Sequence, residues 1–137
     1  MKIVQLTDSI GVAAQIAPAD VAEIAAQGYK VIINNRPDGE EENQPSGAQI
    51  EAAANAAGLE YHYMPVTAGS FPGSDFDAMA DFLDDTARPV LAFCRTGTRC
   101  TNLWVASRDE STRQDAMVVG QQKGFELGMA ARFLGNA

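Results

Sequence analysis

The chain is short of the residues that hold metals. Among 137 residues there are two cysteines and one histidine, too few for a convincing structural zinc site. Cations are also scarce: ten Lys and Arg stand against eighteen Asp and Glu, for a net charge of −8. Such a balance keeps a protein soluble and argues against a nucleic-acid backbone or an anionic membrane surface as partner. No apolar run approaches the length of a bilayer span. The opening segment "MKIVQLTDSIG" lacks the long apolar stretch and cleavage site of a secretory signal. A cytoplasmic location is therefore predicted, and there a cysteine is more often free, catalytic or metal-bound than bridged. Nothing in the sequence implies a metal or a cofactor.

What is present reads as one soluble domain over residues 1–137, with 46% apolar and 20% charged residues. "KIVQL" (2–6) and "IGVAAQI" (10–16) read as strands joined across Thr7-Asp8-Ser9. "PADVAEIAAQG" (18–28) reads as a helix, with Pro18 in its first turn and Gly28 as its left-handed cap. "YKVIINN" (29–35) is a continuous apolar run, the mark of a strand covered on both faces. A turn-rich loop (36–47), a helix (48–58), a strand (59–66), a loop (67–74) and a helix (75–87) follow. "PVLAFC" (89–94) is a second buried strand, and from about Cys100 the chain reads as helices. Ser111 and Gln114 form a possible capping box between the first two of these helices. Alternating strands and helices predict a parallel α/β sheet with helices on both faces. Ligands bind beyond the carboxyl ends of strands in such sheets. Cys94, Asn34-Asn35-Arg36 and the Thr67–Gly73 loop all lie at such ends, so three loops are expected to meet in one crevice.

The segment "CRTGTR", from Cys94 to Arg99, carries the chemistry. Gly97 lets the chain turn where a side chain would clash. Successive amides and the start of the next helix then form an anion-binding nest. The same donors, with Arg95 and Arg99, lower a cysteine pKa and create a thiolate nucleophile. Thr96 and Thr98 add hydroxyl donors. The duller alternative is a buried cysteine acting as a small hydrophobe. Here the strand end, glycine turn, two arginines and helix start all converge on one site.

The segments "VIINNRPDGEE", "GLEYHYMPV" and "PVLAFCRTGTR" together resemble the bacterial beta-lactamase-hydrolase-like, phosphatase-like domains, over roughly residues 1–110. Members of that family are also described as sulfurtransferases. The resemblance implies a protein tyrosine phosphatase-like fold with a four- or five-stranded, mainly parallel sheet flanked by helices. It also raises Asp38 and Glu40, from "RPDGE", to pocket residues. Related domains occur fused to metallo-hydrolase-like domains.

Two chemistries share a thiolate nucleophile. Phosphatase signatures place five residues between cysteine and arginine, whereas this chain has four, as in a rhodanese loop. A phosphatase also uses a general acid, yet "TAGSFPGSD" offers no carboxylate before Asp75. Asp38, Glu40 or Glu41 would have to substitute from the other loop. The residue after the arginine is Cys100, not the usual serine or threonine. The first expectation is therefore a rhodanese-like sulfurtransferase that forms a Cys94 persulfide. A cysteine-dependent phosphatase is the alternative, and a non-catalytic anion-binding module the third reading.

Cys94 and Arg99 are assigned the catalysis. Arg95, Thr96, Gly97, Thr98, Asn35, Arg36 and Asp38 are assigned substrate binding, with Arg95 pointing outward to the rim. Cys100 is either packing or a resolving thiol for an oxidised Cys94. His62 is read as a half-buried structural residue and Trp104 as core. The expected ligand is a small anion: thiosulfate, a persulfide or a phosphate ester. A persulfide-oxidising enzyme is the partner that sulfur transfer would imply.

Overall fold

The structure, a computed structural model, describes residues 1–135. Five strands form one sheet: β1 (Ile3–Thr7), β2 (Ile10–Ala13), β3 (Val31–Asn34), β4 (Glu60–Tyr63) and β5 (Val90–Phe93). Their order is β1-β2-β5-β3-β4. Only the β1–β2 hairpin is antiparallel, and the other pairs are parallel. Six helices flank the sheet: α1 (Val21–Ala26), α2 (Gly47–Ala56), α3 (Phe76–Asp84), α4 (Thr98–Ser107), α5 (Glu110–Gln122) and α6 (Gly128–Gly135). The α/β sheet and its mainly parallel sense are as the sequence predicts.

The central strands are placed by their composition. Every residue of β3 and β5 is buried, because helices cover both faces of the sheet. Alternation then sorts the side chains. Val31, Ile33, Val90, Ala92 and Cys94 face a core shared with Met79, Leu83, Leu103 and Ala130 of α3, α4 and α6. Ile32, Leu91 and Phe93 face Val21, Ile24, Ile50 and Ala54 of α1 and α2. Fully burying one such aliphatic side chain contributes about 1.5–3 kcal/mol, so β5 is fixed from both sides. Its last residue hands the chain to Cys94 at a rigid position.

Several boundaries differ from the sequence reading. The 18–28 helix opens as a 3-10 turn, Pro18–Asp20, in which Asp20 Oδ2 accepts the Ala17 N–H at 2.8 Å. The helix after the cysteine loop begins at Thr98 rather than Cys100, which brings its free amides closer to the cysteine. The Ser111–Gln114 capping box is not formed. Asp109 caps α5 instead, accepting the Thr112 N–H at 3.1 Å and the Ser111 hydroxyl at 2.7 Å. A carboxylate takes both donors at once, which a serine oxygen does less well.

Strand β2 passes under Tyr29 only because position 11 is glycine: a Cβ there would lie 2.4 Å from the Tyr29 hydroxyl oxygen and 2.8 Å from Ile3 Cγ2. Gly11→Ala is expected to cost about 1–3 kcal/mol in urea unfolding, and part of that cost should disappear in a Tyr29→Phe background.

Candidate active site

Cys94 follows the last residue of β5, and the loop after it runs straight into α4. Gly97 adopts φ +88°, a left-handed conformation, and aims its N–H at Cys94 Sγ at 3.1 Å. Any other residue is strained at this φ, and a Cβ would also lie 3.3 Å from Phe125 Cε1. Cys94 is fully buried beneath the loop, and its own N–H donates to Ala13 O of β2.

The Cys94 thiol is pulled down to about 5. The largest cause is a hydrogen bond from the Cys100 side chain; burial opposes it, and the amides of Cys100 and Thr96 and the charge of Arg99 assist. Cys100, wholly buried beside that anion, is pushed up and stays protonated. The pair therefore divides into one thiolate and one thiol donor. The sequence reading gave Cys100 only packing or a resolving role, so its hydrogen bond to Cys94 is a function it missed.

Three loops meet at Arg99. Its Nη1 and Nη2 donate to Glu40 Oε2 and Oε1, both at 2.8 Å, and Nη1 also donates to Val66 O at 2.9 Å. Glu40 is thus a positioning residue, gripping the guanidinium as a fork, and Arg99 holds its carboxyl below the ordinary glutamate range. Arg36 stands behind it. That buried side chain donates from Nε to Glu40 (2.9 Å), from Nη2 to Glu41 (2.6 Å) and from Nη1 to Gln15 (3.0 Å).

The remaining candidates fall into two groups. Thr96 lies in the loop and Thr98 opens α4, with the Thr96 hydroxyl donating to Thr98 Oγ1 at 2.9 Å. Arg95 is exposed at the rim, 3.4 Å from Glu41. Asn35, Arg36 and Asp38 each have structural partners, the first two buried and Asp38 exposed. Asn35 Nδ2 donates to Met64 O at 2.8 Å inside the core. Asp38 Oδ1 accepts the Gly47 N–H at 2.7 Å and anchors the start of α2. Turn chemistry of this kind leaves no mark in "NNRPDGE" that separates it from ligand binding. His62 is half-buried on β4, bonded to Glu60, with its ring centroid 4.3 Å from that of Phe82. Burial lowers its pKa.

Residues 2–111 match the model of a family described as Beta-lactamase hydrolase-like protein, phosphatase-like domain. The chain belongs to this family. Among its relatives is the Beta-lactamase hydrolase-like protein of Agrobacterium fabrum, 38% identical over 137 residues, which cover 98% of this chain and 32% of the relative. The chain thus spans about a third of the length of the curated relatives it matches. A candidate phosphatase from Neisseria meningitidis Z2491 is 36% identical and superimposes with a TM-score of 0.79, covering 99% of this chain and 98% of that one. P. aeruginosa TpbA, solved with phosphotyrosine, shares the fold at 13% identity and a TM-score of 0.63, covering 98% of this chain and 91% of its own. The phosphatase-like domain thus has the protein tyrosine phosphatase-like fold. No helix among the described residues is long and apolar enough to cross a membrane.

Two variants test the cradle. In Gly97→Ala, the left-handed turn should cost about 1–2 kcal/mol of stability. The pH midpoint of Cys94 alkylation by iodoacetamide should also rise from its wild-type value near 5. Glu40→Gln should cost about 1–2 kcal/mol in urea unfolding near neutral pH. Because the folded-state pKa of Glu40 is lowered, that contribution is present above the ordinary glutamate range and is lost as pH falls through the lowered value. The gap between wild type and Glu40→Gln should therefore close in acid.

Proposed function

We propose that residues 1–137 act as a cysteine-dependent phosphatase on small phosphomonoesters. The observation that carries this reading is the Gly97 amide aimed at Cys94 Sγ from a left-handed turn, 3.1 Å away, with Arg99 gripped by the facing loop. The thiolate attacks phosphorus, the bond from phosphorus to the leaving oxygen breaks, and a phosphocysteine forms. Water then attacks phosphorus, the S–P bond breaks, and inorganic phosphate leaves the regenerated thiolate. Glu40 and Val66 occupy three of the five Arg99 N–H groups. The other two serve the equatorial oxygens of the phosphoryl group, and the loop amides complete the cradle. Thr96 and Thr98 line its rim.

The site points to a leaving-group class. The Thr67–Ser74 loop carries no carboxylate, and Glu40 is engaged by two arginines. With no carboxylate in that loop and Glu40 tied to two arginines, the reading favours esters whose leaving group is already a weak base, such as aryl phosphates. The phosphotyrosine bound to P. aeruginosa TpbA belongs to that class.

Sulfur transfer has two observations in its favour: the four-residue spacing from Cys94 to Arg99 and the same lack of a carboxylate in the Thr67–Ser74 loop. The comparisons lend it no support, nor do they support a persulfide-oxidising partner, so it stands second. This reverses the order drawn from the sequence alone.

Purified protein should hydrolyse p-nitrophenyl phosphate far faster than glycerol phosphate, with an acidic limb near pH 5 in kcat/KM. Cys94→Ser should lose at least about a thousandfold in rate. Mass spectrometry after exposure to thiosulfate decides the second reading. Gain of one sulfur atom at Cys94, without phosphatase turnover, would overturn the first.

A further inference from the structure

Two helices distant in sequence form one aromatic face. Phe76 opens α3 and Phe133 lies in α6, and their rings meet edge-on with centroids 5.5 Å apart. Phe71, in the loop before α3, meets Phe133 in the same way at 6.1 Å. α6 itself is anchored in the core: Ala130 is fully buried, and its N–H donates to Asn102 Oδ1 at 2.9 Å. The place of Phe133 is therefore fixed, yet its ring is 46% exposed. Beside it lies a cavity of about 220 Å³ lined by Ala68, Phe71, Met129, Arg132 and Phe133. A half-exposed ring thus adjoins an apolar hollow.

The charge on this face is mixed. Arg132, next to Phe133, is exposed, and so is Asp77, next to Phe76. Neither has an ion-pair partner among the described residues. An apolar patch with a charged rim has the make-up of a protein-contact surface, and here its contents select the partner. A chain of net charge −8 repels a copy of itself, so two copies meet stably only where opposite charges face each other. In a two-fold contact both copies present the same patch, so each group must find its complement within that patch. This one holds a ring with a hollow, and an unpaired cation with an unpaired carboxylate. A strongly acidic or strongly basic partner would match one of the two charges and oppose the other.

We propose that this face is a two-fold interface between two copies of the chain. Phe133 of each copy enters the hollow of the other, and Arg132 of each pairs with Asp77 of the other. The contact is one hollow rather than a long groove, so the dimer is weak, with a Kd of about 10–100 µM. It does not depend on the reaction assigned to Cys94.

Sedimentation equilibrium of the full chain, from about 5 µM to about 1 mM, tests it. Wild type should pass from monomer to dimer across that range. Phe133→Ala should raise Kd at least about tenfold. Arg132→Asp and Asp77→Arg should each do the same, and as changes at exposed positions they should leave urea unfolding unaltered. Lys30→Asp, the same change of charge at an exposed residue before β3, should shift Kd by less than about twofold, because distant surface charges are screened by salt. The deciding measurement mixes Arg132→Asp with Asp77→Arg in equal amounts. The mixture should dimerise at concentrations where neither variant does alone, because each supplies the charge that the other has lost. A wild type that stays monomeric at about 1 mM overturns the proposal. So does a dimer indifferent to Phe133, Arg132 and Asp77, a mixture of the two folded variants that fails to associate, or growth beyond two copies, which a two-fold contact forbids.

Discussion

A charged sulfur inside a protein is tolerable only where donors already point at it. Burial alone would drive the Cys94 proton back on, and here burial does push in that direction. The Cys100 thiol, the Gly97 amide and the neighbouring amides outweigh it. Each of these donors exists because of one backbone event, the left-handed turn at Gly97 that starts α4 immediately after β5. The sheet supplies the fixed end of that turn: β5 is clamped by side chains on both faces, so Cys94 cannot retreat from its donors.

Electrostatics around the thiolate is organised in tiers. Arg99 lends a positive charge to the sulfur but is itself held in a carboxylate fork by Glu40. Glu40 in turn meets Arg36, whose buried guanidinium finds three oxygen acceptors. Charges of alternating sign placed in contact this way offset one another's desolvation. The same arrangement keeps a cation fixed next to an anion-binding loop in a chain that is acidic as a whole.

Much of this was legible in the sequence, and the limits are physical. Continuous apolar runs identified β3 and β5, because a strand covered on both faces has no polar positions to break the pattern. "CRTGTR" identified the cradle, because glycine after a strand end and before a helix has few other uses. The convergence of three loops followed from strand ends alone. The fork between Glu40 and Arg99 spans 59 positions in sequence, and no local pattern reports such a pairing. Asp38 and Arg36 look like ligands in "NNRPDGE", yet their partners are Gly47, Glu40, Glu41 and Gln15. The cap of α5 went to Asp109 rather than Ser111 because the carboxylate accepts the Thr112 amide and the Ser111 hydroxyl together. Choosing between phosphorus and sulfur chemistry was beyond local pattern too, since both ask for the same thiolate.

The loop between β3 and α2 has a mechanical consequence. Its early part is tied to Arg99 through Glu40, and Asp38 is tied to the first amide of α2. The Arg99 guanidinium and the first turn of α2, which packs on the other face of the sheet, are thus joined through one short stretch of loop from Asp38 to Glu40.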